Sequence, residues 1–319
     1  MTKLIKEKNR EFYSIVFSNI KTCRGLFYVS NQLLGKNTES ACPDGDPKEM
    51  CNKFQTFFQE KIAKIRNKLD NDKAPSTTFS PFNGDTLQLL KEVTEKEVKD
   101  IIRQSPAKSC ALDPIPTNIL MTCLDDVLPH ITTIINNSLR TGEVPTCFKN
   151  AIVKPIITKT GLDENDLTNY RPVSNLPFLS KILEKVVLTQ LFGHINTNGL
   201  TEAFQSAYKA CHSTKTATIR IANDILIEID ARNVCILALL DLSAAFDTLD
   251  HEILLKKLEI AFGVTGSALS CFCSYIADRA QKVSLKGETS EGDTIMRFGV
   301  SQGSVLWASD LHALHATVG

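Results

Sequence analysis

The chain has 319 residues, 43% of them hydrophobic and 23% charged, so it is long enough to bury a core and too apolar for wholesale disorder. Lys+Arg and Asp+Glu balance at 36 each, a net charge of +0 that excludes a generally basic, histone-like binder but not a local basic groove. The apolar run 234–240 is too short to span a bilayer, and the charges between Lys3 and Glu11 leave no room for an apolar signal segment. An intracellular protein without membrane contact is therefore expected.

In chain order, polar stretches at 35–47 and 70–85 read as linkers. Between them, Met50, Phe54, Phe57, Phe58, Ile62 and Ile65 fall at helical spacing. Residues 1–86 thus read as a helical arm with polar linkers. Thr94 and Glu97 form a capping-box signature that opens a helix through Val98, Ile101 and Ile102, stopped by Ser105-Pro106. Helical spacing returns over 117–140, with Gly142 as the cap. Residues 150–158 are β-like, and the chain turns back at Arg171 after a polar loop, which predicts a hairpin. An amphipathic helix is expected over 178–195 and another helix over 214–230. The run 234–241 ends in an acid and predicts a strand buried on both faces whose C-terminal edge opens on a site. A helix starts near Asp250, another spans 267–278, and strands are expected at 281–286 and 294–300. The fold class is α+β, with helices around a small mixed sheet.

The ten cysteines include no C-x-x-C, and no set of Cys and His supplies four spaced zinc ligands. Reduced thiols are expected, and His312 and His315 lack a third ligand nearby. Asp241 is the first singular residue, because a carboxylate after an apolar run must bind something cationic or cap a turn. A magnesium ion takes octahedral oxygen ligation from one or two carboxylates plus substrate phosphates, so a lone acid would hold it poorly. Asp247 could share that ion, but the simpler reading has it start the helix that contains His251.

Four blocks, in order, resemble the reverse transcriptases of non-LTR (LINE-like) retrotransposons. LDLSAAFDTLDHEILLKKL (240–258) looks like motif A, and KNAIVKPIITKTGLDENDLTNYRPVSNLPFLSKILEKV (149–186) looks like the fingers motifs. QSAYKACHSTKTA (205–217) resembles the segment between them, and FGVSQGSVL (298–306) resembles motif B. The likeness covers about 108–306, while 1–107 match loosely, as a helical linker would. It implies a right-hand polymerase, here fingers and an incomplete palm, that transfers a deoxynucleotide to a primer 3′-hydroxyl and copies RNA into DNA. Two Mg²⁺ ions about 3.5–4 Å apart would serve that reaction.

By the same resemblance Asp241 is a catalytic metal ligand, assisted by the backbone carbonyl of Leu242. Phe246 is the steric gate that rejects a 2′-hydroxyl, where spacing alone would make it a core aromatic. Arg171 would grip the triphosphate with its planar fork, where otherwise it is a surface charge. Lys159 would be its companion, with Lys154 in reserve. Gln302 would touch the incoming nucleotide and Gly303 would allow close backbone approach. RNA template, DNA primer and deoxynucleoside triphosphates are the implied partners, and cytoplasm and nucleus the implied compartments.

The likeness breaks after Leu306. The family continues into a helix and a hairpin with an Asp-Asp pair (motif C), then a thumb; here 307–319 read WASDLHALHATVG, with Asp310 alone. An inactive polymerase fragment is the expectation. The alternative is a non-catalytic nucleic-acid-binding or interaction module, using Lys149, Lys154, Lys159, Arg171, Lys181 and Lys185.

Overall fold

The computed structural model describes residues 2–18, 29–30, 42–71, 79–159, 161–200, 204, 206, 211–239, 244 and 247–306. Contacts group the chain into two compact units, Met1–Pro43 and Asp44–Gly319. In the first, helix α1 (Thr2–Ser18) carries a Lys8–Glu11 pair one turn apart at 2.8 Å.

The second unit is built on a mixed sheet. Strand β1 (Asn150–Ile157) pairs antiparallel with β2 (Tyr170–Asn175), the predicted hairpin, and parallel with β3 (Ala280–Leu285). Two short strands, β4 (Glu288–Thr289) and β5 (Thr294–Ile295), pair antiparallel with β3. Proline has no N–H for a ladder, and this sheet places its prolines accordingly. Pro155 lies opposite Pro172 on β2, beyond the last β1–β3 pair at Val153, so neither leaves a central ladder broken.

Helix α2 (Pro47–Asn71) covers one face of the sheet. Met50, Phe54 and Phe58 recur every four residues and make one stripe, which buries against Val153, Tyr170 and Val283. The Phe54 and Tyr170 rings meet edge to face at 5.0 Å. The sequence grouped this helix with an arm; the structure makes it one side of the sheet layer.

The larger core is helical. Helix α3 (Glu95–Gln104) has the predicted capping box, with Thr94 N and Oγ1 donating to Glu97 Oε2 at 2.7 and 2.8 Å. The predicted 117–140 helix divides at Cys123 into α4 (Thr117–Thr122) and α5 (Leu124–Thr141), closed by Gly142 in the left-handed region at φ 72°. Helix α6 (Phe178–Thr197) is not the amphipathic helix its spacing suggested. Ile182, Leu183, Val186, Val187 and Leu191 are all buried, because α3 and α5 both pack against it. Helices α8 (His251–Ile260) and α9 (Gly266–Ile276) complete this core.

Two expectations fail. Residues 233–239 form no strand, and Val234 and Ile236 stand 91% and 92% exposed. An apolar run becomes a buried strand only between neighbouring strands, and none of β1–β5 pairs with it. Helix α7 (Thr214–Asp230), just before it, also has no buried residue. The strand expected over 294–300 stops at Ile295. Beyond it the chain leaves the sheet, and Gly299 N donates to Leu249 O at 2.7 Å.

Candidate functional site

A cavity of about 360 Å³ lies where α2, β2 and the 294–302 segment meet, lined among others by Lys61, Ile62, Ser174, Phe298 and Gln302, with Asp247 at its wall. The turn at 301–304 is fixed there from two sides. Ser174 N on β2 donates to Gln302 O at 2.7 Å, and Gln302 Nε2 donates to Asp247 Oδ1 at 2.8 Å. Gly303 has φ 131°, and a Cβ there would collide with the Ser174 carbonyl oxygen. The close backbone approach expected of Gly303 is thus made to strand β2.

Asp247 does not start helix α8. That role belongs to Asp250, whose Oδ1 accepts from Glu252 N and Ile253 N at 3.0 and 3.2 Å. Asp250 Oδ2 also accepts from Arg66 Nη2 of α2 at 2.9 Å, and the Arg66 guanidinium lies 4.3 Å from the Phe298 ring centroid. His251 Nε2 donates to Gly299 O at 2.7 Å. The segment after Asp247 is therefore laced to the segment before Gln302. Burial pushes the Asp247 carboxyl above its usual range, while the Gln302 hydrogen bond and the Lys61 charge pull it back.

Of the residues singled out by motif, Gln302 lines this cavity, and Gly303 follows it in the same turn. Asp241, Leu242 and Phe246 lie outside the described residues, as do Asp310, His312, His315 and most of 205–210. Arg171 and Lys159 are exposed and do not line the cavity. In the β1–β2 register Arg171 stands opposite Ile156, and Lys154 opposite Val173. Alternation puts Arg171 and Lys154 on one face of the hairpin, and Tyr170, Pro172 and Ser174 on the other. The six-residue basic cluster is smaller than its sequence spacing suggested. Lys149 is buried, and Lys185 Nζ donates to Ser105 Oγ at 2.7 Å while burial lowers its pKa.

Sequence reasoning missed Lys61 and the Asp247–Gln302 bond, and no local signal announces either. It also passed over Glu184, whose signal was a lone acid in the run ILEKVV. Among the described residues no three His, Cys, Asp or Glu side chains could hold a metal ion. Within the motif A segment, the first described carboxylate, Asp247, is committed to Gln302 and faces Lys61. The described residues thus offer no magnesium site, and Asp241 and Leu242, the ligands the motif implies, lie outside them.

Helices packed round a mixed sheet, with a Gln-Gly turn at a cavity beside a basic hairpin, are an α+β, polymerase-like arrangement. The family model for reverse transcriptase (RNA-dependent DNA polymerase) matches residues 157–316. The chain belongs to that family, and its likeness to the LINE-like, non-LTR enzymes is borne out by its relatives. It is 32% identical over 218 residues to the RNA-directed DNA polymerase from mobile element jockey of Drosophila melanogaster, covering 68% of this chain and 23% of that protein. The probable RNA-directed DNA polymerase from transposon X-element of the same fly is 28% identical over 246 residues, 72% of this chain and 27% of that protein. A third, from transposon BS, is 28% identical over 218 residues, 68% and 24% of the two chains. The chain thus spans about a quarter of the length of the curated relatives it matches. Among the described residues no helix is long and apolar enough to cross a membrane.

Proposed function

We propose that this chain is the fingers and incomplete palm of an RNA-directed DNA polymerase from a non-LTR retrotransposon, and that it binds a deoxynucleoside triphosphate together with an RNA template and DNA primer. The observation that carries this reading is the cavity at Gln302. A motif B glutamine is held by strand β2 and Asp247 at the wall of a space open to a ligand. Its side-chain amide and the Lys61 ammonium supply polar and cationic contacts, and Ile62 and Phe298 supply apolar surface for a base. On the outer face of the hairpin, Lys154 and Arg171 offer a cationic pair to a phosphate backbone.

In the reaction of a complete polymerase of this kind the primer 3′-oxygen attacks the α-phosphorus of the nucleotide and pyrophosphate leaves. By the motif Phe246 is the gate against a 2′-hydroxyl, and Lys159 adds its charge to that of Arg171 toward the phosphate backbone. By the motif, Asp241 and the Leu242 carbonyl would hold a Mg²⁺ ion, which when bound would supply charge neutralisation at the phosphates. One matched carboxylate does not position two dications, so these 319 residues are expected to bind without extending a primer.

The test is a salt titration with a fluorescent RNA template annealed to a DNA primer. Affinity should fall steeply as salt rises, and the double change Lys154→Glu with Arg171→Glu should weaken binding by about tenfold or more. Salt-insensitive binding, or none, would remove the proposed nucleic-acid role. Incubation of the same complex with Mg²⁺ and all four nucleotides should leave the primer unextended. Extension that Asp241→Ala abolishes would overturn the expected inactivity. A non-catalytic binding module predicts the same salt slope but no nucleotide bound at the Gln302 cavity.

A further inference from the structure

Glu184 is the described acid whose burial most needs a cause. It sits in helix α6 between apolar neighbours, 1% exposed. A carboxylate removed from water that far is strongly destabilising unless its oxygens are fully hydrogen-bonded. Here five donors converge on it. Oε1 accepts from Tyr275 Oη of α9 at 2.8 Å and, at 3.3 Å, from Ser180 Oγ, whose one hydrogen is shared with the Phe148 carbonyl at 3.0 Å. Oε2 accepts from Ser304 Oγ at 2.7 Å, Val305 N at 2.5 Å and Leu306 N at 3.2 Å. Arg279, itself 2% exposed, lies 4.4 Å from the Tyr275 ring centroid and brings positive charge to the same pocket of side chains.

Three of those donors, from Ser304, Val305 and Leu306, close or directly follow the turn that carries Gln302. An apolar side chain of the same size would fill α6 as well, so packing alone does not account for an acid at this position. What the carboxylate adds is a hold on residues 304–306. Ser174 grips the turn by the Gln302 carbonyl and Asp247 by the Gln302 amide; Glu184 grips the three residues downstream of Gly303. Gly303 leaves the turn's backbone less restrained than any other residue would, which makes an anchor on its far side necessary.

We infer that Glu184 is a positioning residue for the nucleotide site: its carboxylate holds the 304–306 backbone and thereby fixes Gln302 at the cavity. This rests on the nucleotide reading of that cavity, and the experiment separates the two. Glu184→Leu and Glu184→Gln are made in the full chain. Hydrogen exchange of peptides spanning 299–306 is followed by mass spectrometry, and affinity is measured with a fluorescent deoxyadenosine triphosphate. Glu184→Leu should speed exchange at Val305 and Leu306 by about tenfold or more, the scale of a lost charged hydrogen bond, with α5 and the rest of α6 still protected. Glu184→Gln, which keeps one acceptor oxygen, should fall between that variant and the parent. Nucleotide affinity should drop in Glu184→Leu, and adding Gln302→Ala should weaken it no further. Unchanged protection at 305–306, or fully additive affinity losses, would overturn the role of Glu184. If Glu184→Leu does not fold, the exchange comparison rests on Glu184→Gln. If the parent chain binds no nucleotide, the cavity's proposed function falls, and the exchange result alone still decides whether Glu184 holds the turn.

Discussion

At the scale of single residues, Asp247 shows what motif spacing does not contain. Its oxygen accepts from a glutamine 55 positions away, and burial raises its carboxyl above the usual 3.8. The folded state therefore takes up a proton more readily than the unfolded chain does. The Asp247 contribution to stability is full below that usual value and is lost as pH rises through the raised one. Asp247→Asn keeps an acceptor for Gln302 and removes the charge. Thermal melts across pH 3.5–7.5 should show the parent losing stability relative to the variant as pH rises from 3.8. A parent that gains stability relative to Asp247→Asn as pH rises would contradict this.

Secondary-structure elements were legible to the extent that their signals are local. The α3 capping box and the Gly142 stop depend on residues within a turn or two of one another, the β1–β2 hairpin on two neighbouring runs joined by one polar loop, and each is present. The stripe Met50, Phe54, Phe58 announced helix α2 but not what it would cover. Its target, Val153, Tyr170 and Val283, comes from three strands far along the chain. Phe54 is fully buried at that seam, so Phe54→Ala should cost about 3–5 kcal/mol in urea unfolding. A loss under about 1 kcal/mol would mean α2 is not integral to the sheet layer. The 234–239 run is the opposite case. Its composition reads as a core strand, yet a strand is a relation between segments, and no described strand lies beside it.

For the whole molecule, thiol chemistry offers a test of the burial pattern. Of the described cysteines, Cys147, Cys211 and Cys235 are exposed and Cys51, Cys110 and Cys271 buried. Burial lifts the Cys271 thiol to about 12, so at pH 8 it is neutral as well as inaccessible. Native protein treated with a thiol-reactive dye should label the three exposed positions first and the three buried ones only on unfolding, as peptide mapping would read. Rapid labelling of Cys271 in folded protein would show that the helical core around α9 is not closed. The two-unit division adds that this core and the sheet layer belong to Asp44–Gly319 together.

The sequence by itself determined the family, through four motif blocks in order, and the helices and hairpin whose caps and turns are written within a few residues. It also marked Gln302 and Gly303 as a site. Only the tertiary structure decided which groups surround that site: Lys61 from a helix outside the matched region, Asp247 in place of a helix cap, and Glu184 reaching across 122 positions to Leu306. The reason is physical. Local hydrogen bonds are fixed by the residue types along one short segment, whereas a buried carboxylate finds its donors only after packing has brought distant backbone into reach.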